Sequence, residues 1–121
     1  MEKEKQERNF DLGTILSVTS GYMLVDTFDK ISECISYLAG DDVPTVSLPR
    51  LVNELRPLIY ERYPELQKYS KNLNIKGEEA AFAYVAKVEE ELGYDSVTLP
   101  QMGDKVNHRY QIQDIIDIKR N

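Results

Sequence analysis

A chain of 121 residues and 14.0 kDa has the length of one domain and leaves no room for two independent cores. Its composition, 41% hydrophobic and 30% charged, is that of a globular protein, and the single cysteine, Cys34, excludes an internal disulfide and any cysteine-based zinc cluster. Fifteen basic against twenty-one acidic residues leave a net charge of −6, which argues against general nucleic-acid binding because phosphate neutralisation needs clustered Lys and Arg.

Residues 1–9 alternate in charge sign and offer nothing to bury, so they read as a flexible charged arm preceding a single helical domain over 10–121. Neither a signal peptide nor an apolar run long enough to span a bilayer is present, and a cytoplasmic protein with no membrane partner is expected. Two readings compete over residues 12–25. Asp11 as a cap, the spacing of Leu12, Ile15 and Leu16, and Gly21 as a stop favour a helix. The β-branched Thr14, Ile15, Val18 and Thr19 with a turn at Ser20-Gly21 would suit a hairpin. The helix is preferred.

Asp26 or Thr27 then caps a helix whose stripe is Phe28, Ile31, Ile35 and Leu38, with Gly40 as its stop and Cys34 beside the stripe. Ser47 reads as the N-cap of the next helix, with Pro49 in its first turn and Leu51, Val52, Leu55, Leu58 and Ile59 along it. Pro57 is expected to kink that helix or break it in two near Arg56. Residues 67–76 form a polar connection where a boundary between half-domains is conceivable. The helix after Gly77 carries Glu78 and Glu79 in its first turn and a stripe of Ala81, Val85, Val88 and Leu92. Residues 96–100 suit a short edge strand, and Ile112, Ile115, Ile116 and Ile118 suit a last helix. The fold expected is therefore mainly α, a compact multi-helix domain with at most a short hairpin or edge strand, the alternative being α+β.

Catalytic sets are missing. Cys34 and His108 are the sole members of their kinds, the nucleophile-elbow and phosphate-loop patterns are absent, and Asp41, Asp42, Asp114 and Asp117 lack calcium-loop spacing. No catalytic residue, metal or cofactor is assigned. The candidate ligand-binding residues are Arg50, Arg56, Tyr60 and Tyr63, since Arg with Tyr holds an anionic or ring-bearing ligand by bidentate hydrogen bonds and stacking. The bland reading of the same residues is that the arginines pair with acids such as Asp41, Asp42 or Glu54 while the tyrosines pack half-buried.

The run Leu12-Gly13-Thr14-Ile15-Leu16-Ser17-Val18-Thr19-Ser20-Gly21, followed by Gly40-Asp41, Leu48-Pro49-Arg50, Pro57-Leu58 and Pro64-Glu65-Leu66, resembles a family of small proteins encoded by bacteriophages and prophages. The likeness covers residues 10–66 and extends weakly over 82–92 with Leu99-Pro100. That family brings no assigned activity. Its members often carry an arginine where this chain has Tyr22 and a histidine where it has Val46, so a shared histidine chemistry would be broken here. The resemblance implies a non-enzymatic accessory protein, anti-defence in role, that binds a host, phage or defence protein; a homodimer would suit so small a chain. Sequestration of a small nucleotide-like anion is the first alternative, and an enzyme of unknown class the second.

Overall fold

A computed structural model describes residues 7–71 and 73–106. The strand β1 (Glu7–Asp11) leads into helix α1 (Leu12–Ser20). Helices α2 (Phe28–Ala39) and α3 (Leu48–Arg62) follow, the second entered through a 3-10 turn at Thr45–Ser47. A 3-10 helix at Pro64–Tyr69, helix α4 (Glu78–Leu92), strand β2 (Ser96–Pro100) and a 3-10 turn at Gly103–Lys105 complete the order. The fold is mainly α with one two-stranded antiparallel sheet. The last helix expected from Ile112 onward, His108, Asp114 and Asp117 lie outside the described residues, as do residues 1–6.

Helix α1 is the axis of the molecule. Every residue from Leu12 to Thr19 is buried, because α2, α3, α4, the 3-10 helix at Pro64–Tyr69 and the sheet all pack around it. A helix enclosed on all sides needs no polar face, so its pattern loses the amphipathic signature. This resolves the competition in favour of the helix. Gly21 ends it in the left-handed region, φ 81°, where its amide donates to the Ser17 carbonyl at 3.1 Å. Asp11 stands at the N-cap position, although its carboxylate accepts from the Thr14 hydroxyl at 3.0 Å while the Leu12 amide donates to the Asp95 carbonyl.

Four features depart from the sequence reading. Residues 7–9 do not fray: they pair with β2, Arg8 opposite Leu99 and Asn9 opposite Thr98. The Arg8 guanidinium lies over the rings of Phe10 and Tyr37 and pairs with Glu33, while Glu7 meets Arg62 at 3.0 Å. The charges of Glu7 and Arg8 thus find partners far away in sequence. Second, the strand expected over 96–100 forms, but its partner is β1, which the sequence reading left as an arm; the preferred helix, not the hairpin, occupies 12–20.

Third, α3 runs unbroken through Pro57. Leu55 and Ile59, both fully buried, bracket the proline and hold the two halves on the same core. Pro57 itself faces solvent, as does Asn53, so the carbonyl that loses its intrahelical bond is on the wet side. Fourth, Ser47 is not an N-cap of the ordinary kind: it is buried, helical in its backbone, and makes no side-chain capping bond. The 3-10 turn, closed by the Ser47 amide on the Pro44 carbonyl at 2.9 Å, delivers the chain into α3 directly.

The segment after α3 belongs to the same core. Leu66 is fully buried, and the hydroxyls of Ser70 and Thr19 lie 2.7 Å apart with Ser70 also donating to the Leu66 carbonyl. The Tyr84 hydroxyl donates to the Tyr69 carbonyl at 2.6 Å and that of Tyr22 to the Leu73 carbonyl at 2.6 Å. Helix α4 is the most exposed of the four α-helices: it buries Ala81 and Val88 and packs Tyr84, Val85 and Leu92 part-buried against the core.

Candidate functional site

An apolar concavity lies between α2 and α3. Its walls are Phe28, Ile31 and Ile35 from α2 and Leu48, Pro49 and Val52 from α3, closed at one end by Tyr22 and Met23 of the loop after α1. The volume is about 520 Å³. The spacing within each helix explains the groove: Phe28, Ile31 and Ile35 fall on one side of α2, and Pro49, Val52, Asn53 and Arg56 on one side of α3. Both rows sit at the edge of the core-facing stripes, so the two helices bury their centres against α1 and leave these flanks open. Phe28 is 47% exposed and Met23 50%, which for side chains of this size leaves a considerable apolar area in water.

The loop that closes the groove is fixed by α1. The Ser17 hydroxyl donates to the Gly13 carbonyl at 2.7 Å and accepts from the Leu24 amide at 2.9 Å. Fully buried Leu24 then anchors the loop, and Tyr22 and Met23 beside it point away from the core. A Cβ at Gly13 would stand 3.2 Å from Val25, so the close passage of this loop over α1 relies on glycine there.

The four candidate ligand residues do not converge. Arg56 alone lines the groove, and its Nε donates to the Thr19 carbonyl at 2.7 Å while Nη1 donates to Asn53 at 3.3 Å. It thereby satisfies a carbonyl at the open end of α1, as a basic side chain at a helix C-terminus does. Arg50 forms an ion pair with Glu54 one turn along α3. The Tyr63 hydroxyl donates to the Thr98 carbonyl and accepts from the Thr98 amide, both at 3.2 Å, and so ties α3 to the sheet. Tyr60 is half-buried against the core. Sequence reasoning passed over Met23 and Phe82 as surface candidates. The available signal was a large apolar residue standing off its helix's stripe, as Phe82 does beside Ala81, Val85 and Val88.

The Cys34 thiol is fully buried, and burial pushes its pKa up to about 12, against a weaker opposing pull from Arg8. A thiol held neutral in this way is a poor nucleophile at neutral pH. Among the described residues no three His, Cys, Asp or Glu side chains gather where a metal ion could sit, and no buried side-chain polar atom lacks a hydrogen-bond partner. A second cleft of about 300 Å³ mixes Glu7, Glu61 and Asp104 with Arg62 and Lys105, and this interleaving of signs favours no particular ion. No described helix is long and apolar enough to cross a membrane.

Residues 10–68, just under half of the chain, match a domain family of unknown function, DUF7736. The matched stretch contains α1, α2 and α3 and therefore every residue named above as lining the groove. No curated protein and no solved structure matches the chain.

Proposed function

We propose that the chain works by binding, and that an apolar segment of a protein partner occupies the groove between α2 and α3. The observation that carries this reading is the groove itself: apolar walls, with Phe28 and Met23 left half in water. Aromatic and Met side chains around a preformed concavity are the materials of docking surfaces. The phage and prophage proteins that the sequence resembles supply the context: an accessory protein acting in the cytoplasm of a host cell on a host, phage or defence component.

Affinity capture from infected host cells tests it, with the wild-type chain and Val52→Asp as paired baits. A partner retained by the first and lost by the second supports the groove; the same proteins on both baits, or none on either, contradict it. Val52 is half-buried at the groove wall, so the variant is first checked for an unchanged thermal transition. Sequestration of a small anion is the second reading, and it stands on Arg56 as the one cation in the groove lining. A thermal-shift series with nucleotides tests it, since a ligand at a hundred times its Kd adds about 2.7 kcal/mol.

A further inference from the structure

The apolar surface does not stop at the groove. Tyr22 and Met23 also border a hollow of about 340 Å³ that reaches Val25, Ile75 and Phe82. Val25 and Phe82 in turn border a third hollow, of about 310 Å³, that reaches Val85 and Ala86 on α4. Phe82 stands 47% exposed between the two. An apolar shelf therefore runs from Met23 across Val25 to the outer face of α4.

Its charge differs from that of the groove. The shelf is bordered by Asp11, Asp26, Glu78 and Glu89, against one cation, Lys30. Lys30 lies 3.0 Å from Asp26 and holds that carboxyl below its ordinary range, so the cation is taken up by one of the four acids. Among the described residues neither Glu78 nor Glu89 is in an ion pair, and both flank Phe82 on α4, four residues before it and seven after it.

We propose that this shelf docks a basic amphipathic helix of a protein partner, its apolar side on Met23, Val25 and Phe82 and its Lys or Arg side chains on Glu78, Glu89 and Asp11. An aromatic flanked on its helix by Glu78 and Glu89, neither in an ion pair among the described residues, fits that partner and opposes two others. A nucleic acid or an anionic lipid surface would bring like charge to the same acids. The inference rests on the reading of the chain as a binding protein; the shelf shares Tyr22 and Met23 with the groove and adds Val25, Phe82 and α4, which lies outside the stretch that matches the domain family.

The test is fluorescence anisotropy with a labelled Leu/Lys amphipathic peptide of about eighteen residues and its Leu/Glu counterpart. The expected result is binding of the Leu/Lys peptide that weakens as salt rises, roughly tenfold weaker binding to Phe82→Ser and to the double variant Glu78→Lys with Glu89→Lys, and no change in Val52→Asp. The charge variants change exposed side chains on the helix surface and keep the test decisive if Phe82→Ser folds poorly. Equal affinity for both peptides, no binding of the Leu/Lys peptide, or insensitivity to the charge variants overturns the shelf. So does sedimentation showing a dimer that Phe82→Ser dissociates, because a second copy would then be the occupant. Binding lost in Val52→Asp but kept in Phe82→Ser also overturns it, while leaving the groove as the docking site.

Discussion

Helix α1 and the loop that follows it, residues 21–27, are neighbours with opposite treatment of their side chains. In α1 the polar groups are consumed internally: Thr14 on Asp11, Ser17 on Gly13 and Leu24, Thr19 on Ile15 and Ser70. Even its terminal carbonyl at Thr19 is met by Arg56. In the loop, and on the flanks of α2 beside it, large apolar groups are left in water at Tyr22, Met23 and Phe28. The interior has little left over to react, and the surface has apolar area left over to cover. That difference underlies the proposal that the chain works by binding, and it makes the effects of substitution unequal.

The largest effect is expected at the axis. Leu16→Ala removes a fully buried side chain from a helix with neighbours all round, and should cost about 3 to 5 kcal/mol in a urea unfolding titration. A loss below about 1 kcal/mol would mean that α1 is less enclosed than described. Next is the polar node where α1 meets the segment after α3. Thr19→Val or Ser70→Ala leaves a buried hydroxyl short of its partner and should cost about 1 to 3 kcal/mol by the same titration.

Cys34 sharpens the comparison through pH. Its thiol ionises near 9.0 in an unfolded chain and, because burial disfavours the thiolate, near 12 in the folded one. The contribution is present in full below pH 9 and drains away as pH climbs toward 12, where the unfolded chain has already released the proton. The urea midpoint should therefore fall across this range, and less steeply in Cys34→Ala. Tyr84 and Tyr94, whose phenols burial also pushes up, contribute equally to both proteins, so the difference between the two curves isolates the thiol. The smallest effect on stability is expected at the exposed surface: Met23→Ser and Phe28→Ser should stay within about 0.5 kcal/mol of wild type in thermal unfolding. A large loss there would show that these side chains belong to the core.

Much of this architecture was legible wherever apolar spacing met a cap and a glycine. The bounds of α2 and α4 follow from Gly40 and Gly93, both left-handed, and from stripes that end beside them. What escaped was non-local. Arg8 looks like part of a solvated arm until Phe10, Tyr37 and Glu33 are placed around it. Pro57 looks like a break until Leu55 and Ile59 are seen on one core. The fate of Arg50 and Tyr63 depended on Glu54 and Thr98, one turn and thirty-five residues away. The groove was half legible: the stripes Phe28, Ile31 and Ile35 on α2 and Leu51, Val52 and Leu55 on α3 are visible in the sequence, but periodicity cannot tell which member of a stripe stays at the rim. Leu51 and Leu55 went under, and Phe28 stayed out.

Amide hydrogen exchange of the chain, alone and in complex with the partner recovered by capture, tests the central claim most directly. Protection gained at residues 22–28 and 49–56 is the result this account predicts. Protection confined to the sheet at residues 7–11 and 96–100, with the groove exchanging as before, would contradict it.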